Sequence, residues 1–137
     1  MSNSTQLAHS LLRQLIETGV SDFVVCPGSR NAPFLIALGE ASSKQIVDLH
    51  IKIDERGAAF FALGIAKASN NYVAVICTSG TAVANFHPAA LEALHSNSKL
   101  LIINLFIKSI IFLMDIFFII IIIIFCCFFN FFFVHFF

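Results

Sequence analysis

The sequence lacks the features that several common classes of protein require. Eight basic and eight acidic residues leave the chain without net charge, which argues against a nucleic-acid surface or a polyanionic partner. The four cysteines, Cys26, Cys77, Cys126 and Cys127, show no CxxC spacing, so neither a zinc site nor a disulfide framework is expected. The scattered histidines share no metal-ligand spacing. We therefore predict no metal ligands in this chain.

Nucleotide-binding and export signals are missing as well. The sequence contains no Gly-Lys-Ser/Thr and no GxGxxG after a strand, which excludes the two common phosphate-binding loops. Residues 1–20 combine a polar start with an amphipathic helical pattern, instead of a basic segment followed by an apolar one. We therefore predict no signal peptide and a cytoplasmic location for the first hundred residues.

What is present changes abruptly in composition near residue 105. Residues 1–104 mix charge, glycine, serine and aliphatic side chains, as globular domains do. Residues 105–137 contain 12 Phe and 10 Ile among 33 residues. We treat 1–104 as one domain-sized globular part and 105–137 as a low-complexity tail.

Strand and helix patterns alternate through the globular part. Continuous apolar runs predict buried strands at 23–26, 72–77 and 100–104, and an alternating run predicts a weaker one at 49–53. Helical patterns lie at about 4–19, 31–42, 55–69 and 81–95. This alternation predicts an α/β fold with a parallel sheet and crossover connections.

A parallel sheet would gather three loops at its carboxyl edge, where such sheets bind ligands. The loops are 26–33, 54–57 and 77–85, and together they bring Ser29, Arg30, Glu55, Thr78, Ser79 and Thr81 to one rim. Each loop also has an ordinary interpretation. Pro27-Gly28 is a turn signal, Arg30 suits a solvated surface, and Thr78 or Ser79 could cap the next helix.

The second loop poses a question, because an Asp54–Glu55 pair precedes a helix that is apolar all round. Acidic residues cap helix N-termini by accepting hydrogen bonds from the first N–H groups of the helix. Asp54 suits that role, which leaves Glu55 available for another.

Taken together, three motifs carry a resemblance to a known family. "PGSRNAP", "DERGAAFFALGIAKAS" and "CTSGTAVANFHPAALEA", at these separations, closely resemble the N-terminal part of the 2-succinyl-5-enolpyruvyl-6-hydroxy-3-cyclohexene-1-carboxylate synthases. These enzymes of menaquinone biosynthesis belong to the thiamine-diphosphate superfamily. Acetolactate synthases are the nearest alternative, but they would show Pro-Gly-Gly and His-Glu-Gln-Gly loops. Ser29-Arg30 and Asp54-Glu55-Arg56 favour the menaquinone family.

The resemblance implies specific roles for the loop residues. Glu55 would contact N1′ of the cofactor's aminopyrimidine ring and so promote loss of the proton from C2 of the cofactor. A dry pocket around Glu55 would favour the neutral form of its carboxyl group. Ser29 and Arg30 would face the carboxylated substrates, 2-oxoglutarate and isochorismate, with the arginine forming a bidentate fork. The remaining residues expected to border thiamine diphosphate are Pro27, Thr78, Ser79 and Gly80. The family reaction decarboxylates 2-oxoglutarate and adds the resulting carbanion to isochorismate.

The resemblance also implies that much of the enzyme is missing. Residues 1–104 correspond to about the first half of a pyrimidine-binding domain, and the Gly-Asp-Gly…Asn motif that holds Mg²⁺ and the diphosphate is absent. The full enzyme would be a homodimer or homotetramer. We therefore expect this chain to be inactive alone, with strand 100–104 left as an uncovered sheet edge.

The tail has two interpretations. Residues 116–134 are long enough, at about 1.5 Å per residue, to cross a hydrocarbon core of roughly 30 Å, which would make the chain a tail-anchored, non-catalytic membrane module. Against this, the tail has no Trp or Tyr belt and no basic flank. The composition, which is almost only Ile and Phe, favours an origin of the tail by translation out of frame or through non-coding sequence.

Overall fold

The computed structural model describes residues 3–78, 80–105 and 133–136, and in them helices and strands alternate as the sequence predicts. In chain order the elements are α1 (Asn3–Glu17), β1 (Asp22–Val25), α2 (Ala32–Ser43), β2 (Asp48–Ile51), α3 (Glu55–Ser69), β3 (Val73–Cys77), α4 (Thr81–His95), β4 (Leu100–Leu105) and β5 (Phe133–Phe136). The predicted bounds of α3 and α4 agree with those of the structure. The α/β prediction is confirmed.

The strands form one sheet in the order β2-β1-β3-β4-β5, and all four pairings are parallel. Every residue of β3 is buried, as its unbroken apolar run predicts for a central strand covered on both faces. Strand β2 alternates in sequence and is only partly buried, because it forms one edge of the sheet. The sequence pattern thus distinguished central from edge strands.

Helices cover both faces of the sheet and create two separate cores. The face covered by α1 and α2 is filled with large side chains, among them Leu11, Leu12, Leu15, Phe23, Phe34, Leu38, Ile76 and Ile103. The face covered by α3 and α4 is rich in small residues, among them Ala58, Ala59, Ala62, Ala66, Ala82, Ala89, Ala93, Cys26 and Cys77. We call these the leucine layer and the alanine layer.

The expectation of an uncovered edge at β4 is wrong. Strand β5 pairs with β4 in parallel, with Ile102 opposite Phe133 and Leu105 opposite Phe136. The apolar segment 133–136 satisfies the backbone groups that an edge strand would leave unpaired, and so takes the place expected to be empty.

The proposed membrane span, 116–134, lies outside the described residues except for its last two, which belong to β5. Among the helices that the structure describes, none has the length and apolar character to cross a bilayer. The origin of the tail therefore stays a prediction.

Candidate functional site

The first and third loops meet directly at the carboxyl edge of the sheet. A Cβ atom placed on Gly28 would lie 2.2 Å from Cγ2 of Thr78, well inside the contact distance of two carbon atoms. A side chain at position 28 would therefore force one of the two loops to shift, because they approach so closely. The predicted convergence of these loops follows from the parallel topology and is visible in this contact.

The second loop lies close enough to the ends of β1 and β3 for its carboxylates to affect the thiols there. Burial raises the pKa of the Cys26 thiol to about 11, and the carboxylates of Glu55 and Asp54 contribute to the same rise. Burial likewise raises the pKa of Cys77 to about 12, with added contributions from Cys26 and Glu55. Both thiols are therefore neutral near pH 7, and Glu55 lies within electrostatic reach of the ends of β1 and β3.

Asn31 holds the first loop in place, and sequence reasoning did not single it out. Its side chain is fully buried, its Nδ2 donates to the carbonyl of Cys26 at 2.8 Å, and its Oδ1 accepts from the N–H of Gly28 at 2.8 Å. The amide thus satisfies two backbone groups of a tight turn. The available signal was an asparagine three residues after a Pro-Gly turn, where such side chains bond to the local backbone.

This clamp leaves Ser29 and Arg30 on the outside of the loop. Both residues are exposed at the carboxyl edge, as is Pro27. A side chain in this position can reach a ligand above the edge without moving the buried clamp beneath it. Their predicted roles toward substrate and cofactor stay predictions.

Asp54 takes the capping role expected of it at the start of α3. The N–H of Gly57 donates to Oδ2 of Asp54 at 2.6 Å, and Asp54 has the extended backbone typical of a cap, with φ −88° and ψ 120°. A Cβ on Gly57 would lie 2.8 Å from the same oxygen, so the glycine makes room for the cap. Asp54 therefore caps α3, and Glu55 does not.

Glu55 is the first residue of α3, and its side chain is half-buried. The described residues alone therefore do not form the dry pocket that was expected around it. The reason is its position in the first turn of α3 on the rim of the sheet, which leaves it partly exposed. A ligand or a neighbouring domain would have to provide the rest of the enclosure.

Thr78 does not take the capping role that the ordinary interpretation of the third loop offered it. Helix α4 begins after Gly80, whose φ of 74° and ψ of −135° belong to a region that glycine tolerates, and no side chain of a described residue caps the helix. Thr78 is half-buried against Gly28 and does not cap α4. Ser79 lies outside the described residues.

The described part of the edge combines one half-buried carboxylate, two neutral thiols and exposed loop side chains. No group of three or more His, Cys, Asp or Glu residues able to hold a metal ion is found among residues 3–78 and 80–104. A carboxyl group in this position can exchange a proton with a ligand bound over the edge of the sheet.

Comparison with known proteins points to one family. The family model described as "Thiamine pyrophosphate enzyme, N-terminal TPP binding domain" matches residues 5–108. A 2-succinyl-5-enolpyruvyl-6-hydroxy-3-cyclohexene-1-carboxylate synthase from Nocardioides sp. is 48% identical over 102 residues, covering 74% of this chain and 19% of the relative. Synthases of the same name from Saccharopolyspora erythraea and Bacillus pumilus are 48% and 47% identical, over 75% and 68% of this chain. The chain spans 18% and 16% of those two proteins, so it matches less than a fifth of each relative.

Proposed function

Because the chain belongs to the N-terminal TPP binding domain family of thiamine pyrophosphate enzymes, we propose that it forms the pyrimidine-binding side of a thiamine-diphosphate site. The observation that carries this proposal is the position of Glu55. Its carboxylate is half-buried at the edge where the loops after β1 and β3 meet. Asp54 caps α3, so Glu55 is not needed as the cap. This position supports a role for Glu55 toward the cofactor's ring.

The reaction we propose is that of the similar synthases. The complete enzyme would decarboxylate 2-oxoglutarate and join the remaining four-carbon unit to isochorismate in menaquinone biosynthesis. Bound thiamine diphosphate supplies the electron sink for this chemistry. We assign Mg²⁺ and the diphosphate group to another part of the enzyme, since this sequence has no Gly-Asp-Gly motif.

Glu55 holds and moves a proton at N1′ of the aminopyrimidine. Its place in the first turn of α3 puts the carboxyl group at the positive end of the helix dipole, which favours negative charge. A ring lying on the carboxyl group would remove water from it and favour the protonated form. These opposing effects let one carboxyl group both hold and release a proton, as a general acid–base requires.

Ser29 and Arg30 bind the substrates' carboxylates. Both side chains are exposed beside the Asn31 clamp, so they can approach a substrate above the cofactor. The planar guanidinium of an arginine forms two parallel hydrogen bonds with a carboxylate, which both substrates carry. Pro27, Thr78, Ser79 and Gly80 border the cofactor.

We further propose that the complete enzyme is a cytoplasmic homodimer or homotetramer. Cys26 and Cys77 are buried free thiols, which suits a reducing compartment. Phe60 and Phe61 of α3 are 42% and 38% exposed, and they offer an apolar surface that a second subunit could cover.

A chimera tests the proposal. Residues 1–104 are joined to the remainder of a homologous synthase, and 2-oxoglutarate turnover and C2 proton exchange of the cofactor are measured. Glu55→Gln should lower both by roughly 10²–10⁴-fold, because the amide keeps the size of the side chain but cannot share the proton.

Asp54→Asn is the matched control, since asparagine also caps helices well, and it should change both rates far less. C2 exchange at the parental rate in Glu55→Gln would show that the carboxylate is only a charge at a helix end. The proposed function would then be wrong.

A further inference from the structure

Asn104 completes a row of side chains at the carboxyl ends of three neighbouring strands. Its register partner on β3 is Cys77, and the N–H of Cys26 bonds to β3 one residue earlier, at the carbonyl of Ile76. Side chains alternate between the faces of a strand, and Ile102 faces the alanine layer. Asn104 therefore faces the alanine layer too, on the same side of the sheet as α3 and Glu55.

The side chain of Asn104 is buried but incompletely bonded. Only 4% of the residue is exposed, and among the described residues its Oδ1 has no hydrogen-bond partner. Asn31, the other buried asparagine of this edge, uses both ends of its amide. A buried carbonyl oxygen without a donor destabilises a folded protein, and such atoms are rare enough to require an explanation.

The surroundings of Oδ1 restrict what can satisfy it. Cys77 beside it carries a neutral thiol, which is a weak donor, and the carboxylate that acts on that thiol is Glu55. A ligand over this edge would lie beside the Glu55 carboxyl group, and a hydrogen-bond donor that reaches the buried Oδ1 would satisfy it. An aminopyrimidine has the complementary groups, because its ring nitrogens accept hydrogen bonds and its exocyclic amine donates them.

We propose that Asn104 is a second ligand-binding residue of this edge, whose Oδ1 accepts a hydrogen bond from the exocyclic amine of the aminopyrimidine. The inference rests on the proposed function and adds a residue to it. A neutral amide suits this place because it binds the amine without competing for the proton that Glu55 shares with the ring. A second carboxylate here would repel the first and hold the proton itself.

The test uses the full 137-residue chain and two matched probes, 4-amino-2,5-dimethylpyrimidine and 2,5-dimethylpyrimidine, which differ only in the amine. Affinities are measured by NMR titration, following the side-chain amide resonances of asparagine. The parent should bind the amino probe at least about 5- to 10-fold more tightly than the other, because one buried hydrogen bond gives that range and the amine also makes the ring nitrogens stronger acceptors. This comparison requires no variant.

Asn104→Leu removes the acceptor while nearly keeping the volume of the side chain. It should lower the preference for the amino probe by about 5- to 10-fold, and the unliganded variant should unfold at the same temperature as the parent or higher. Glu55→Gln should weaken the binding of both probes and keep the part of the preference that Asn104 supplies, which separates the two residues.

Three results would overturn the inference. They are an undiminished preference in Asn104→Leu, a marked fall of its unfolding midpoint without ligand, and a parent chain that binds neither probe. C2 exchange by the Glu55→Gln chimera then decides whether the proposed function fails as well. Parental exchange would reject both, whereas a large loss of exchange would reject the role of Asn104 alone.

Discussion

The two layers that cover the sheet differ in the size of their side chains, and only one of them lies beside the candidate site. Helices α1 and α2 bury leucine and phenylalanine against the sheet, whereas α3 and α4 bury mainly alanine. Alanine lets a helix approach the strands closely. Helix α3 thereby brings Glu55 within electrostatic reach of Cys26 and Cys77.

The polar groups follow the same division. The carboxylate of Glu55, the two thiols and the buried amide of Asn104 all belong to the alanine layer or its rim. The amide of Asn31, at the start of α2 in the leucine layer, bonds to the turn at both of its ends. We infer that the leucine layer mainly stabilises the domain, while the alanine layer positions the site.

The largest effect should come from removing one large side chain from each layer. Leu38 and Leu63 are both buried, in α2 and α3, and Leu→Ala at either position should lower the free energy of unfolding by about 2–5 kcal/mol. Chemical denaturation measures this loss. Only Leu63→Ala should also speed alkylation of Cys77, because Leu63 and Cys77 share a core. Equal alkylation rates in the two variants would contradict a separation of the layers.

A smaller loss should follow from Gly28→Ala at the contact between the loops. The new Cβ would lie 2.2 Å from Cγ2 of Thr78, so one loop must shift, at a cost of about 1–3 kcal/mol in the free energy of unfolding. Thr78→Ser removes that methyl group and should recover most of the loss in the double variant. A double-mutant cycle measures the coupling, and purely additive effects would show that the loops do not pack as described.

The thiols should make stability depend on pH at the alkaline end. The pKa values of Cys26 and Cys77 are raised from 9.0 to about 11 and 12, so the folded state binds more protons than the unfolded state above pH 9. Their contribution is complete below pH 9 and is lost as the pH rises through 11 and 12. Glu55→Gln removes a negative charge, lowers both pKa values and should speed thiol alkylation at pH 9. An unchanged rate would place Glu55 farther from the thiols.

The smallest effect should be a gain from replacing an exposed helix glycine in each layer. Gly39 of α2 and Gly64 of α3 have no atom within 4 Å of the position that a Cβ would occupy, so alanine meets no obstacle at either site. Gly39→Ala and Gly64→Ala should each raise the free energy of unfolding by about 0.5–1 kcal/mol, since glycine loses more entropy on folding. If Gly64→Ala lowered the free energy of unfolding and Gly39→Ala did not, α3 would have a contact at this position that α2 lacks.

Most of the fold was predictable because its signals are local. The unbroken apolar run of β3 indicated a central strand, and the bounds of α3 and α4 follow from periodicity and from Asp54 as a cap. The edge at β4 was predicted wrongly. Its partner, β5, is separated from it by the 27 residues numbered 106–132, and no local pattern shows which strand a distant segment will join.

The candidate site was predictable only in part, for a related reason. Glu55 was singled out from the acid pair and from the resemblance, and its role stays a prediction, whereas the parallel topology placed the loops together. Asn31 and Asn104 were missed, because an asparagine in a turn or at a strand end looks the same whether its amide is satisfied or not. Burial and hydrogen bonding decide that, and both depend on neighbours far away in the sequence.

The sequence by itself determined the alternation of helices and strands, the burial of β3, the cap at Asp54 and the availability of Glu55, because propensity, periodicity and capping act over a few residues. Only the tertiary structure decided that Gly28 must face Thr78 without a side chain, that Glu55 acts on two thiols, and that the oxygen of Asn104 is buried without a donor among the described residues. These properties arise between segments, since distance, burial and charge at the sheet edge exist only once the strands are side by side.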